Sequence, residues 1–257
     1  MKTVNNQIRK IDFLKVFFRS FFLQSVWNYR SLISVGFDIC LIPIVKRLYP
    51  TLDSRKEFLR RHLKFFNSHP YLASYALGIS IKLEEDIALG NADASIDLDR
   101  IKDLLISTLG AKGDRLFWLT IKPFTLIIGV LGIILAESTS MKVIILVMTF
   151  LLYNIPHFYF RYVGLVEGYR FGLQIYKCLP KQRFETLRKA YLYVGLLAFG
   201  LLSIYFLIKY YSTGSGQFLI FLSSLVYTGV VYRLSRSFYY TTFLTFFFFL
   251  IIGLIFF

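Results

Sequence analysis

The stretch HLKFFNSHPYLASYALGISIKLEED, from His62 to Asp86, combines polar residues, a proline and a run of small apolar residues. Pro70 favours extended backbone at His69, so the pattern predicts a break between two helices around Asn67. The second helix is thin because Ala, Ser and Gly recur along it, and small side chains let neighbouring helices approach closely. It ends in consecutive carboxylates, at Glu84, Glu85 and Asp86.

The composition is typical of a membrane protein. Of the 257 residues, 56% are hydrophobic and 19% are aromatic, whereas soluble domains average about 45–50% apolar residues with glycine included. The 30 Lys and Arg against 15 Asp and Glu give a net charge of +15, which fits nucleic-acid binding or a membrane protein with cationic cytoplasmic loops. The sequence shows no nucleic-acid-binding motif, and its cations lie between apolar runs. We therefore predict an all-α, polytopic integral membrane protein.

The C-terminal part of the sequence contains five apolar stretches of about 15–21 residues, close to the length that crosses a bilayer. They are Phe117–Ala136, Val143–Phe160, Tyr191–Ile208, Phe218–Tyr232 and Phe238–Phe257. Cations cluster in the segment from Arg161 to Lys189 and at Arg233 and Arg236, while the alternate loops carry only Lys142 and Lys209. The positive-inside rule then predicts a cytoplasmic N-terminus and an extracytoplasmic C-terminus in the plasma membrane.

The N-terminal half is predicted to form helices of another kind. The stretch DFLKVFFRSFFLQSVWNY (12–29) puts Phe13, Phe17 and Phe21 on one helical face and cations on another, so it lies on an anionic bilayer surface or packs on a partner. The next apolar stretch contains Asp38, which should face protein or a cavity because its charge is unfavourable in lipid. We predict arm helices in 1–50, a broken-helix region in 51–112 and a transmembrane region in 113–257.

The histidines and cysteines form no recognisable metal site or disulfide framework in the sequence. His62 and His69 are seven residues apart and His157 is distant, whereas zinc sites need three or four ligands at close, regular spacing. Cys40 and Cys178 also lie far apart, and neither belongs to a Cys-x-x-Cys pair. We predict no metal or other cofactor, and we interpret the imidazoles as structural or solute-lining groups.

Four stretches, in this order and spacing, resemble the IID component of the mannose/fructose/sorbose family of phosphotransferase-system (PTS) sugar permeases. They are FRSFFLQSVWNY (18–29), RRHLKFFNSHPYLASYALGISIKLEE (60–85), GAKGDRLFWLTIKPF (110–124) and YNIPHFYFRYVGLVEGYRFG (153–172). The sequence departs from the family pattern at Leu119 and Lys122, where Gly and Arg are expected, and in a shortened C-terminal third.

The resemblance implies a membrane subunit that translocates a hexose together with a IIC subunit, in a higher oligomer of IIC–IID pairs. Cytoplasmic IIA and IIB components would carry the phosphoryl group, so the chain itself is not expected to be an enzyme. The shortened C-terminal third favours an alternative, a degenerate IID-like interaction or regulatory protein that no longer transports. A third alternative is a membrane-embedded enzyme using His62, His69 and Glu84, for which the sequence shows no ligand set or activated nucleophile.

Candidate sugar-binding residues lie at the helix break and at acidic positions. Broken helices expose polar backbone groups in sheltered cavities, so Asn67 and His69 are candidates, although Asn67 could instead cap the second helix. Carboxylates accept hydrogen bonds from neighbouring sugar hydroxyls, which adds Glu84, Glu85 and Asp114. The alternative for these acids is a solvated helix end.

Glycines recur every fourth residue at Gly164, Gly168 and Gly172, and this ridge predicts tight helix packing, which we expect to involve a partner subunit. A phosphate-binding glycine loop is excluded because it requires a strand-to-helix turn. The segment 154–157 either forms a second helix break or only reflects the presence of Pro156.

Overall fold

The structure is a computed structural model that describes residues 8–91, 93–177, 181–213 and 215–256. These residues form ten α-helices and no β-strand, and their only bridges are the isolated ones at Asn28–Leu32 and Leu32–Phe66. The helices are α1 Lys10–Arg19, α2 Ser34–Leu48, α3 Leu52–His62, α4 Ala73–Ala88, α5 Asp93–Gly113, α6 Lys122–Leu135, α7 Thr139–Phe171, α8 Lys181–Thr213, α9 Ser215–Ser235 and α10 Phe238–Phe256. Short 3₁₀ helices span Ser20–Phe22 and Gly172–Lys177, and a π-helix spans Asp114–Ile121. The all-α prediction is confirmed.

Four stretches of the described residues are long and apolar enough to cross a membrane. They are Asp93–Leu135, Thr139–Tyr176, Arg183–Lys209 and Phe218–Ser235, and a shorter apolar helix spans Tyr239–Ile251. Large apolar side chains remain exposed along these helices, as at Val147, Leu197 and Val226. Such surfaces are stable next to lipid, which is as apolar as they are. The prediction of about five C-terminal membrane helices is therefore confirmed.

The chain divides into two compact units, Met1–Leu196 and Leu197–Phe257. The first unit contains α1 to α7 and the first half of α8, and it holds nearly all of the buried side chains. The second contains the end of α8 together with α9 and α10, which pack on each other as a hairpin. The candidate site lies entirely in the first unit.

Two helices are more continuous than the sequence patterns suggest. The predicted span from Phe117 is continuous with the helix before it, because α5, the π-helix and α6 follow one another without a break. The wider π turn accommodates Pro123, which lacks an N–H, at the start of α6. Helix α7 also runs unbroken through Pro156. In an apolar setting the backbone has few other partners, so it stays helical around proline.

The glycine ridge of α7 packs against α4 of the same chain, so the expectation of a partner subunit there is wrong. A Cβ on Gly168 would clash with the carbonyl oxygen of Tyr75, and a Cβ on Gly78 of α4 would clash with the carbonyl oxygen of Leu165. The two helices share the most extensive helix–helix contact among the described residues. Gly172, with φ +49°, ends α7.

The amphipathic helix α1 packs on α2 and α7 through one face. On that face Asp12 is buried and forms an ion pair of 2.7 Å with Arg47 of α2. Phe13 packs edge-to-face on Tyr169 of α7, with ring centroids 4.7 Å apart. Phe18 and other large apolar residues on the outer side of α1 stay exposed. The helix therefore packs on its own chain while it keeps a second apolar surface open.

Candidate functional site

The backbone between α3 and α4 is irregular, as the sequence predicted. Helix α3 ends at His62 and α4 begins at Ala73, and Ser68, His69 and Pro70 between them are buried. The segment is tied to the loop before α2, because the N–H of Ile33 donates to the carbonyl oxygen of Phe66 at 3.2 Å. We refer to residues 63–72 as the helix break. Its buried polar groups require partners, since an unsatisfied polar group is unfavourable inside a protein.

His69 is the central side chain of the helix break. Its ring stacks on Phe117 of the π-helix at a centroid distance of 5.2 Å and lies against Gly113, where a Cβ would clash with it. The backbone N–H of Tyr71 donates to Nδ1 at 3.3 Å, which assigns the proton of the neutral ring to Nε2. Nε2 is buried and makes no hydrogen bond to a described residue.

The imidazole of His69 is neutral near pH 7. Burial, together with the neighbouring charge of Arg161, lowers the pKa of His69 to about 3. A neutral ring offers one directional N–H donor at Nε2 and carries no charge. That arrangement suits recognition of a neutral hydroxyl better than that of an anion.

A second set of polar side chains lies on α7, beside the helix break. Tyr71 stacks on His157 at a centroid distance of 3.7 Å, and its hydroxyl is hydrogen-bonded to that of Tyr153 at 2.8 Å. Arg161 is buried to 3% exposure, where it donates from Nε to Nε2 of His157 at 3.0 Å and from Nη1 to the carbonyl oxygen of Ser20. Arg161 is thus a buried residue of α7, and the prediction that it belongs to a cationic loop is wrong. A cation directly after an apolar run could have signalled the buried position.

Glu84 is the most completely enclosed of the predicted site residues, with an exposure of 0%. Arg61 donates to both of its carboxylate oxygens, at 3.1 and 2.9 Å, and His62 Nε2 lies 3.0 Å from Oε1. The hydroxyl of Tyr49 donates to Oε2. We call these four residues the Glu84 cluster. It joins the C-terminal end of α3, just before the helix break, to α4.

Electrostatics fix the protonation of this cluster. Burial opposes the charge on Glu84, but the hydrogen bonds from His62 and Arg61 outweigh burial and lower the pKa of Glu84 to about 2. Burial also lowers the pKa of His62 to about 4, although its hydrogen bond to Glu84 opposes the shift. Near pH 7 the cluster therefore contains an ionised carboxylate, a guanidinium and a neutral imidazole.

Asp38 lies in the protein interior, as the sequence analysis expected of an acid in an apolar stretch. Lys102 of α5 is also buried, and its Nζ lies over the ring of Phe37 at 5.2 Å. Burial raises the pKa of Asp38 to about 7, with the charge of Lys102 opposing the shift. Neither Asp38 Oδ1 nor Lys102 Nζ has a hydrogen-bond partner among the described residues.

The predicted sugar-binding residues fall into two groups. Asn67 is exposed, His69 is buried beside it in the chain, and Asp114 is half-buried directly after the Gly113 that His69 contacts. Glu84 is enclosed as described, and Glu85 accepts hydrogen bonds from the N–H of Ile8 at 3.2 Å and the hydroxyl of Tyr169 at 2.6 Å. In the first group, His69 Nε2 has no hydrogen-bond partner among the described residues, whereas both acids of the second group have protein partners.

Three cavities in the described part of the chain are lined by other residues. The largest, of about 720 Å³, lies between α1 and α7, and the others have volumes of about 500 and 250 Å³. Asn67, His69 and Asp114 line none of these three. Among the predicted residues, Asn67 is exposed, and Asp114 and Glu85 are half-buried.

Comparisons with known proteins agree on one family. The family profile described as "EIID-AGA: PTS system mannose/fructose/sorbose family IID component" matches residues 7–256. The mannose-specific EIID component of Escherichia coli (strain K12) is 34% identical over 204 residues, which cover 78% of this chain and 69% of that protein. The fructose permease IID component of Bacillus subtilis (strain 168) is 30% identical over 196 residues, or 76% of this chain and 70% of that one.

Among solved structures, the fold is similar to a chain of the structure described as "CryoEM Structure of Mannose Transporter ManYZ and Microcin E492 (MceA) complex". The TM-score is 0.60 and the sequence identity is 32%, over 76% of this chain and 70% of that chain. The helical architecture and the sequence patterns thus lead to the same relatives.

Proposed function

Because this chain belongs to the IID components of the mannose/fructose/sorbose family of PTS permeases, we propose that it works with a IIC subunit to carry a hexose across the cell membrane. The similarity to a chain of the mannose transporter ManYZ supports a transport role within a larger membrane assembly. In this proposal IIA and IIB components phosphorylate the sugar. The chain itself contributes binding and conformational change and has no catalytic step.

We propose that Asn67, His69 and Asp114 contact the sugar. The observation that carries this assignment is the buried Nε2–H of His69, a donor without a protein partner in the described chain at a break between helices. Carriers commonly bind polar solutes at such breaks, because irregular backbone can be sheltered only where it lines protein or a cavity. The exposed amide of Asn67 and the carboxylate of Asp114 add further donors and acceptors for hydroxyl groups.

Glu84 and Glu85 have another role in this proposal. Glu84 holds the end of α3 through Arg61 and His62, so it fixes where the helix break begins. Glu85 accepts hydrogen bonds from the N–H of Ile8, at the start of the described residues, and from the hydroxyl of Tyr169 in α7. Both acids act on the sugar indirectly, by positioning the helix break.

Sugar uptake measures this assignment in cells that express the chain with its IIC, IIA and IIB partners. Asn67→Ala should raise the KM for uptake about 3- to 10-fold, the effect of losing one hydrogen bond to a neutral group. Asn91→Ala is the matched control, because Asn91 is another exposed asparagine in a short connection. Uptake by Asn67→Ala equal to that of the control, at equal membrane levels, would remove Asn67 from the sugar site.

We further propose a cytoplasmic N-terminus, an extracytoplasmic C-terminus and a higher oligomer of IIC–IID pairs. The charge pattern supports the orientation, since Arg183 and Arg188 lie near the start of α8, whereas Lys209 is the single cation near its end. Gly214, the residue that marks this connection, lies outside the described residues. In a chain with Cys40 and Cys178 replaced by serine, a cysteine at Ser212 should react with an impermeant reagent from outside, and one at Arg188 should not. The reverse pattern would overturn the orientation.

A further inference from the structure

A groove lies between α1 and α7 and encloses a volume of about 720 Å³. It runs along two antiparallel helices, because Phe13 contacts Tyr169 while Phe17, one turn later in α1, contacts Tyr162, about two turns earlier in α7. The lining residues are Lys10, Ile11, Phe13, Leu14, Phe17, Tyr162, Leu165, Val166 and Tyr169. The volume is within the range of about 300–1,000 Å³ that small-molecule sites span.

The groove is apolar along its length and charged at one end. Lys10, in the first turn of α1, is the one charged residue among the described residues that line it. The walls are aromatic and aliphatic, and Leu14 and Val166 are 49% and 40% exposed on opposite sides. Val166 belongs to a candidate membrane span, so we expect this part of the groove to be accessible to acyl chains.

The positive charge at this end is not balanced by the nearby acids. Lys10 forms no ion pair with a described residue. Asp12 is neutralised by its ion pair with Arg47. Glu85 keeps its negative charge, because the N–H of Ile8 and the hydroxyl of Tyr169 are neutral donors, but it is one acid against the two cations Arg9 and Lys10. Arg9 is exposed next to Lys10 in the chain. The end of the groove is therefore complementary to an anion.

We propose that this groove binds an anionic phospholipid, with an acyl chain along α1 and α7 and the phosphate beside Lys10. An apolar channel that ends in an unpaired cation matches the two parts of such a lipid, and basic amphipathic helices bind anionic lipid through the same two interactions. The lipid would complete the packing of α1 on α7, where the protein leaves a gap. The inference is independent of which solute the chain transports.

Native mass spectrometry of the purified full chain tests the site with phosphatidylglycerol and phosphatidylcholine of equal acyl composition. The wild-type chain should prefer phosphatidylglycerol, and Lys10→Gln should reduce this preference about fivefold, the effect of one cation near an anionic headgroup. Lys15→Gln is the matched control, since Lys15 is an exposed cation of α1 that does not line the groove. Equal preferences in Lys10→Gln and the control would overturn the assignment of the phosphate.

A second variant tests the apolar part of the groove independently of the charge of Lys10. Val166→Trp places a large side chain in the groove from a half-exposed position, so the fold is retained while the volume is filled. It should remove the tightly retained lipid of either headgroup. Retention of phosphatidylglycerol at the wild-type level in Val166→Trp would show that the lipid binds elsewhere.

Site-specific photo-cross-linking in native membranes distinguishes lipid from protein in the groove. A benzophenone side chain at position 14 should give an adduct with the mass of a phospholipid. The same group at Leu52, an exposed leucine of α3 outside the groove, should give no such adduct. A protein adduct at position 14 instead would mean that another chain fills the groove, and it would overturn the proposal.

Discussion

The helix pair α4–α7 and the helix pair α9–α10 show two ways in which a membrane chain packs. In the first pair, Gly78 and Gly168 bring the backbones into contact, and Ser74 donates a hydrogen bond to the carbonyl oxygen of Phe160 at 3.3 Å. In the second pair, Tyr227 stacks on Phe248 at 4.2 Å, and most neighbouring apolar side chains are exposed.

The difference concerns how strictly each contact depends on particular residues. Close backbone contact between α4 and α7 tolerates only small side chains, and buried polar groups nearby must keep their partners. Side chains of α9 and α10 can exchange protein contacts for lipid contacts at little change in free energy. We therefore expect substitutions in the first unit to have large effects and substitutions in the second unit to have small ones.

The largest effect is expected for Glu84→Ala in the first unit. The substitution leaves Arg61 in a partly buried position without its main partner, and breaking a buried ion pair in this way costs about 3–5 kcal/mol of unfolding free energy. Thermal unfolding in detergent, monitored by size-exclusion chromatography, measures the loss of stability. Glu57→Ala is the control, because Glu57 is an exposed acid that also pairs with Arg61 and should matter by about 0–1 kcal/mol. Equal losses in both variants would contradict the role of the Glu84 cluster.

Gly168→Val should have the next largest effect. A side chain at position 168 clashes with the backbone of α4, and overpacking of this kind typically costs about 1–3 kcal/mol. Gly200→Val is the matched control, since a Cβ on Gly200 of α8 meets no atom within 4 Å. The same thermal assay compares the two variants. If both variants unfold at the same temperature, the contact between α4 and α7 is looser than the structure indicates.

An effect of pH on the stability of the first unit is also expected. His62 is neutral in the folded chain with its pKa lowered to about 4 from 6.5, so the unfolded state binds more protons between these values. Stability should therefore fall as the pH is lowered from about 6.5 towards 4, and Glu84 should add a further loss below its unfolded value of 4.5 as the pH approaches 2. Between about pH 6.5 and pH 4, the melting temperature of the wild type should fall more steeply than that of His62→Gln. Parallel pH profiles would show that His62 does not carry the effect.

The smallest effect is expected in the second unit. Tyr227→Leu removes the stacking on Phe248, which is worth about 0.5–1.5 kcal/mol beyond burial, and lipid can replace part of that contact. Leu225→Ala, at an exposed position of the same helix, serves as the reference. A loss in Tyr227→Leu as large as that in Gly168→Val would remove the distinction between the two helix pairs.

Local sequence patterns predicted the elements that depend on neighbouring residues in the chain. Pro70 and the polar residues before it indicated the helix break, and the small residues of α4 indicated close packing. The apolar runs indicated the membrane helices. These features follow from backbone geometry and from lipid as a solvent, and both can be read within one segment.

The partners of the predicted site residues could not be read from the sequence in the same way. Tyr49 and Glu84 are 35 residues apart, and Arg161 reaches the carbonyl oxygen of Ser20 across 141 residues. The glycine ridge of α7 was predicted to be a packing surface, but its partner was taken to be another subunit. Which surfaces meet depends on how the helices are arranged in space, and sequence periodicity carries no information about that arrangement.

The sequence by itself determined that this chain is helical, crosses a membrane and interrupts its helices at Asn67–Pro70. Hydrophobic length, proline stereochemistry and family motifs depend on residues that are close together in the sequence. They can therefore be recognised without knowledge of the fold. Only the tertiary structure decided that Glu84 is enclosed by Tyr49, Arg61 and His62, while the Nε2 donor of His69 has no partner among the described residues. A carboxylate or an imidazole takes its role from the charges and the burial around it, and distant segments of the chain supply both.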